Sequence, residues 1–315
     1  MDMFGLSAPI LQAPIGSASN VALATAAGRG GGMGSLAMTW TECDEGLAKA
    51  AQLKATGLPY FFNFVLRFGT EKIRWYLQSG VPAVTLSWGI DTSSIASLKE
   101  AGMRVGVQVG NVGGAAAALV AGADFLIVQG VEAGGHVQSS TPLDRLLKDT
   151  LAVARDVPVI AAGGIATGAD IARVMKIGAQ GVMMGTRFVA SEESNAHPEY
   201  KQALVAAETE DTVYTHCFDI GWPYSMSRVL RTSTFETWEA AGNPEAPHRP
   251  GEGDIVLRDG KNEIVRYYCT SPVIGMEGDL VSGCLYAGTG VAGIKSVMPA
   301  AEIVRTLWAE AQKSL

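Results

Sequence analysis

The chain has 315 residues, a formal net charge of −7, a hydrophobic fraction of 48% and 38 glycines. This length suits one α/β barrel of roughly 250 residues that carries an insertion, and the hydrophobic fraction supports a large core. The negative charge excludes a basic surface that would attract nucleic acid or an anionic membrane. The four cysteines are far apart and form no C-x-x-C pair, which argues against a zinc site or a disulfide framework and favours a reducing compartment.

The sequence shows neither a membrane-spanning segment nor a secretion signal. No apolar run is long enough to span a bilayer. The first six residues, Met1 to Leu6, lack the charged segment and long apolar run of a secretion signal. We therefore expect a soluble, cytoplasmic protein that acts on a small molecule, and a homodimer is a compatible assembly.

Short apolar runs alternate with helical patterns over the first 190 residues, which is the sequence form of repeated βα units. Eight strands are predicted, at 10–15, 32–38, 60–66, 83–88, 104–109, 124–129, 157–162 and 181–185. The helical patterns between them cover 43–56, 71–79, 93–101, 113–121, 143–155 and 168–177. The strands are continuously apolar, as is typical of a parallel sheet covered on both faces. Eight such strands with crossover helices predict a (β/α)8 TIM barrel.

Cap residues support these bounds. A glycine follows the last apolar position of five helical patterns, where a left-handed C-cap is expected: Gly57, Gly80, Gly102, Gly122 and Gly178. Asp91 and Thr167 stand where N-caps belong.

The pattern changes after residue 190. Residues 191–290 carry aromatic residues, prolines and glycines at irregular spacing, and 299–313 form an amphipathic helical pattern that begins at a proline. We interpret 1–190 and 291–315 as the barrel and 191–290 as a smaller subdomain inserted after the eighth strand. Because the insertion leaves the barrel at the face where barrel active sites lie, we expect it to cover the site.

Two glycine turns follow the seventh and eighth strands, at 159–168 and 181–187. Barrels commonly hold a phosphate with backbone N–H groups at these strand ends. We predict that Gly163, Gly164, Gly185 and Thr186 form a phosphate cradle. The alternative is that the glycines serve tight turns only. Such a cradle suits sugar phosphates, nucleotides and flavin mononucleotide (FMN) alike.

A histidine follows the sixth strand among three glycines, in the run Gln129-Gly-Val-Glu-Ala-Gly-Gly-His136. Its imidazole titrates near neutral pH and can take a proton from carbon or stabilise an anion, although a histidine that caps a turn is the alternative. The Ala13-Pro14 edge and the amides of Asn63, Gln108 and Gln129 are predicted to face the same mouth and to hold a planar ring. The other three histidines lack metal-ligand spacing, so no metal site is predicted.

Four aromatic residues are candidates for an apolar substrate wall, with ordinary packing as the alternative. They are Trp88, Trp222, Tyr224 and Tyr286.

Five segments together resemble the nitronate monooxygenase family, formerly called 2-nitropropane dioxygenase. They are 13–14, 129–136, 161–168, 184–188 and 286–288. The resemblance covers nearly the whole chain. It implies a TIM barrel that binds FMN non-covalently, and a flavin-dependent oxidoreductase that oxidises alkyl nitronates with O2 to carbonyl compounds and nitrite. It also implies that His136 is the catalytic base or a substrate-orienting histidine. The flavin contacts it implies are Ala13, Pro14, Asn63, Gln108, Gln129, Gly134, Gly135, Gly163, Gly164, Gly185 and Thr186.

The chain departs from the family pattern at two positions. Family members usually have a glycine two residues after the histidine, where this chain has Gln138, and many have a basic residue at the end of the fifth strand, where it has Gln108. A neutral amide stabilises negative charge on a reduced flavin less than a cation does. The natural substrate therefore stays open.

Two other functions share these motifs. The family includes FMN-dependent reductases of enoyl thioesters and quinones that use NAD(P)H, and such a reductase would need every segment quoted above. A barrel that binds a phosphorylated metabolite without a flavin is the third interpretation, and it predicts a colourless protein.

Overall fold

The computed structural model describes residues 4–315. Residues 1–3, the start of the segment in which we expected no secretion signal, lie outside the described residues. The first nine strands are β1 (Ile10–Gln12), β2 (Gly34–Ala37), β3 (Tyr60–Val65), β4 (Ala83–Ser87), β5 (Arg104–Val109), β6 (Phe125–Gln129), β7 (Gly135–His136), β8 (Val159–Ala162) and β9 (Gly181–Met184).

All of these strands except β7 form one parallel sheet, in the order β1-β9-β8-β6-β5-β4-β3-β2. The sheet closes because the amide of Gln12 donates to the carbonyl of Met33 (2.9 Å) and the amide of Met33 donates to the carbonyl of Ile10 (3.0 Å). The eight predicted strands are thus confirmed as a (β/α)8 barrel. Each of the eight barrel strands lies within its predicted range.

The helices in chain order are α1 (Val21–Arg29), α2 (Cys43–Ala55), α3 (Thr92–Glu100), α4 (Val112–Val120), α5 (Leu143–Ala154), α6 (Gly168–Ile177), α7 (Thr186–Val189), α8 (Pro198–Ala206), α9 (Ser233–Ala240) and α10 (Ala300–Gln312). Asp91 and Thr167 are the N-caps of α3 and α6, and their side chains accept from Ser94 N and Asp170 N. The five predicted C-cap glycines all have positive φ. Gly57, Gly102, Gly122 and Gly178 follow observed helices, as a left-handed cap requires, whereas Gly80 follows no α-helix.

The predicted helix at 71–79 is wrong. This segment forms one 3-10 turn, Ile73–Tyr76. Ile73 and Tyr76 are buried, and a spacing of three places both on one side of such a turn. The tyrosine ring packs edge-on against Phe62, with centroids 5.4 Å apart, so one turn satisfies the apolar pattern.

Alternation along the strands divides the core into two layers. Phe61, Phe125 and Ile160 belong to the cluster that fills the barrel interior. Phe62 and Leu126 belong to the larger cluster between the sheet and the helices. Because successive strand residues point to opposite faces, the continuously apolar runs satisfy both layers at once.

Between β9 and α10 the chain forms α7, α8, α9 and five short strands: β10 (Thr212–Thr215), β11 (Ser227–Leu230), β12 (Ile255–Asp259), β13 (Asn262–Val265) and β14 (Met276–Gly278). Strands β12, β13 and β14 pair with one another. Strand β11 pairs with β10 and also with β7, so that Ser227 lies opposite His136. This segment is therefore joined directly to the loop that carries His136, and α10 then returns to pack against α1 and α6.

Within residues 4–315, no helix combines the length and the apolar character that a membrane span requires.

Candidate active site

One cavity of about 560 Å³ lies at the carboxyl ends of the barrel strands. The twelve site residues named from the sequence all line it: Ala13, Pro14, Asn63, Gln108, Gln129, Gly134, Gly135, His136, Gly163, Gly164, Gly185 and Thr186. The cavity has the size of a small-molecule or cofactor site. Aromatic side chains from the barrel loops and from the segment after β9 also line it.

The glycine turns at one end of this cavity leave backbone amides free. Gly163 and Gly164 have φ of +111° and +65°, which L side chains rarely adopt. A Cβ on Gly164 would lie 2.8 Å from the Cβ of Glu132. Within residues 4–315, the amides of Gly163, Gly164, Gly185 and Thr186 donate to no protein acceptor. Four free amides that line one end of a cavity fit an anionic phosphate.

A capping box at the start of α6 satisfies part of the amides that follow the first turn. Asp170 accepts from the amides of Ala166 (3.1 Å) and Thr167 (3.0 Å), and Thr167 accepts from Asp170 N. The first-turn residues Gly168 and Ala169 do not line the cavity, so the free amides that line it come from the turn itself. Thr186 Oγ1 accepts from Gly288 N (3.0 Å), which ties the second turn to the segment 286–290.

Gln129 uses its side-chain amide to hold the loop that carries His136. Its Nε2 donates to the carbonyl of His136 (3.2 Å), and its Oε1 accepts from the amide of Gln138 (2.8 Å). Gln138 in turn accepts at Oε1 from the amide of Trp88 (3.3 Å), a residue with φ of +61°. The residue that stands where family members usually have glycine thus joins the end of β4 to the His136 loop.

Asn63 and Gln108 line the cavity from β3 and β5. Asn63 is buried, and its Nδ2 donates to the carbonyl (3.2 Å) and the hydroxyl (3.0 Å) of Thr85. Its amide is therefore fixed in orientation. Gln108 is half-buried and also borders a smaller neighbouring cavity that Gln138 lines.

His136 lies under an indole ring. The imidazole stacks on Trp222 with ring centroids 3.8 Å apart and an interplanar angle of 23°. Burial, together with the positive charge of Arg67, lowers the pKa of His136 from its ordinary 6.5 to about 3. The imidazole is therefore neutral at pH 7.

Tyr286 indicates which nitrogen of that neutral ring carries the proton. Its Oη donates to the carbonyl of Cys269 (2.7 Å) and lies 3.5 Å from His136 Nδ1. Because the tyrosine proton is used on Cys269, its oxygen is free to accept from Nδ1–H. This arrangement favours the Nδ1–H tautomer, in which Nε2 has the lone pair and can act as a base.

Three of the four aromatic candidates line the cavity: Trp88, Trp222 and Tyr286. Tyr224 is 96% exposed and does not. Sequence reasoning did not single out Trp40 and Phe68, whose rings surround Trp222 at centroid distances of 6.1 Å and 4.8 Å. Both residues follow a predicted strand, β2 or β3, and this position at the same end of the barrel as the glycine turns could have identified them as site residues.

Comparison with known proteins decides the family. The family model described as nitronate monooxygenase matches residues 63–310, which is most of the chain. The chain belongs to the nitronate monooxygenase family. A nitronate monooxygenase from Paraburkholderia phytofirmans is 28% identical, over 100% of this chain and 95% of the relative.

Solved structures of similar proteins superpose on this chain over nearly its full length. FabK from Thermotoga maritima superposes with a TM-score of 0.83 at 30% identity, covering 99% of this chain and 95% of that one. A nitroalkane oxidase from Streptomyces ansochromogenes superposes with a TM-score of 0.81 at 28% identity, covering 99% and 97%. The protein is therefore a flavin-dependent oxidoreductase of this family, and oxidation of nitronates is the activity the family supports.

Proposed function

We propose that the protein binds FMN and uses O2 to oxidise alkyl nitronates to carbonyl compounds and nitrite. The observation that carries this proposal is a neutral imidazole, His136, in the same cavity as four free backbone amides. One end of the cavity suits the phosphate of FMN, and the other presents a base and an apolar wall to a small substrate.

The chain's own residues would hold the cofactor. The amides of Gly163, Gly164, Gly185 and Thr186 would bind the phosphate, because a turn without side chains lets an anion approach the backbone closely. The flavin ring would lie by the Ala13-Pro14 edge, with Asn63, Gln108, Gln129, Gly134 and Gly135 around it. When bound, FMN supplies the redox chemistry by taking electrons from the substrate and passing them to O2.

The low pKa of His136 favours nitronates over neutral nitroalkanes. A nitroalkane must lose its α-proton before oxidation, and Nε2 would accept it. A general base works best when its pKa lies near the operating pH, and burial holds this one at about 3. A preformed nitronate needs no proton removal, so it escapes this penalty.

The reductase alternative uses the same cavity. An NAD(P)H-dependent FMN reductase of enoyl thioesters or quinones would need the same cradle and the same neutral imidazole. Steady-state assays distinguish the two. With propyl-2-nitronate, the proposal predicts O2 consumption and one nitrite per molecule of acetone, together with FMN in the denatured extract.

NADH oxidation with an enoyl thioester or a quinone, and no nitrite from nitronate, would replace the proposal with the reductase. A protein purified without any flavin would contradict both.

A further inference from the structure

The imidazole of His136 is covered by the side chain of Trp222. The two rings are stacked 3.8 Å apart, and Trp222 is only 7% exposed. Within the described residues, His136 Nε2 and Trp222 Nε1 are both buried and have no hydrogen-bond partner. The nitrogen that should meet a substrate is therefore shielded by a ring from the segment after β9.

Trp222 is held on a short turn. Gly221 has φ of +92° on one side and Tyr224 has φ of +60° on the other. The amide of Trp222 donates to the carbonyl of Asp219 (3.0 Å), and Arg67 Nη2, from the exposed side chain after β3, donates to the carbonyl of Pro223 (3.0 Å). One exposed arginine thus joins this turn to the barrel.

The contacts of the indole itself are aromatic. Its ring meets Phe68 (4.8 Å), Trp88 (5.3 Å) and Trp40 (6.1 Å) between centroids. Such contacts tolerate displacement by another flat or apolar group, because they are not directional in the way hydrogen bonds are. Two buried polar atoms without partners disfavour the covered arrangement.

We propose that Trp222 is a displaceable cover on His136. A substrate reaches Nε2 only after the indole has left the imidazole, so Trp222 controls which molecules are admitted. A small molecule that carries oxygen atoms, such as a nitronate, suits the exchange, since its oxygen offers an acceptor to Trp222 Nε1–H; a nitroalkane would in addition offer a proton to His136 Nε2. This inference extends the proposed function, because it takes His136 as the residue that contacts substrate.

Chemical modification of His136 tests the cover without any turnover. The FMN-loaded full chain is treated with diethyl pyrocarbonate, which modifies neutral imidazole nitrogen, and the modified peptides are quantified by mass spectrometry. The exposed His248 provides the reference rate in each sample. We expect Trp222→Ala to raise the modification rate of His136 at least about tenfold relative to His248. In Trp222→Phe, which keeps a stacked ring, the modification rate of His136 should stay within about threefold of its value in the chain without substitutions.

Trp308→Phe is the matched control, because Trp308 lies on α10 and does not line the cavity. Trp308→Phe should leave the modification rate of His136 unchanged. If Trp222→Ala does not fold, Arg67→Met tests the cover instead, since it removes the bond to Pro223 from the surface and should raise the rate about threefold. An unchanged His136 rate in the folded variant overturns the cover. Absence of nitronate oxidation in a chain that shows the expected labelling would overturn the proposed function and not the cover.

Discussion

Replacing His136 by asparagine separates proton removal from oxidation. Asparagine keeps a polar side chain of similar reach and removes the basic nitrogen. A positioned general base contributes about 10²–10⁴ in rate, and its contribution falls as its pKa moves away from the operating pH. Burial holds the pKa of His136 at about 3, which places it at the lower end of that range. We therefore expect kcat/KM for 2-nitropropane to fall about 100-fold, and kcat/KM for propyl-2-nitronate to fall less than about tenfold.

The assay follows O2 uptake with each substrate at pH 7.5, with rates normalised to bound flavin. His248→Asn, at an exposed histidine, is the control and should change neither value. The same pKa predicts that, in the chain without substitutions, the pH profile of kcat/KM for the nitronate has no inflection from His136 between about pH 5.5 and 8. An equal loss on both substrates would refute the base role. An inflection near pH 6.5 that disappears in His136→Asn would refute the neutral, buried imidazole.

Three further substitutions test the cradle, the tautomer and the segment after β9. Gly164→Ala should raise the dissociation constant of FMN at least about tenfold, because the φ of +65° and a 2.8 Å Cβ contact both disfavour a side chain there. The control is Gly57→Ala, at φ +67° in open space, and an equal loss of FMN affinity in that variant would contradict the cradle. Tyr286→Phe should lower kcat/KM for 2-nitropropane about tenfold by freeing His136 Nδ1, and an equal loss on the nitronate would contradict the tautomer. Arg249→Met should lower the free energy of urea unfolding by about 1–3 kcal/mol, because the guanidinium is 4% exposed and bonds two carboxylates that are 27% and 20% exposed. A loss under about 0.5 kcal/mol would contradict this role.

The barrel could be predicted from the sequence because its strands are buried on both faces. Runs such as Phe125 to Val128 are apolar throughout and are followed by glycine or amide side chains, so pattern and position both point to a parallel sheet. Helix α1 was not predicted, and the helix at 71–79 was wrong. The turn at Ile73–Tyr76 depends on its buried contacts. Helix α1 has a local signal, the N-cap Asn20 that accepts from Leu23 N, but its nearly unbroken apolar run shows no helical period.

From the sequence, the site could be predicted only as a group of residues at or near the ends of the barrel strands. The twelve residues follow a barrel strand or, like Asn63 and Gln108, lie in its second half, and the closed barrel brings the carboxyl ends of its strands to one rim. What Gln129 does with its amide could not be predicted, because its partners depend on how the loop 130–138 folds back. The stacking of Trp222 on His136 could not be predicted either. It joins two distant parts of the chain through the pairing of β7 with β11.

The visible spectrum of the FMN-loaded protein under anaerobic conditions tests the central claim most directly. An alkyl nitronate is added to one sample and NADH to another, and the flavin absorption bands are followed in each. Nitronate oxidation at this cavity predicts that the bands change with the nitronate and stay unchanged with NADH. Bleaching by NADH, with no response to the nitronate, would contradict the proposed function.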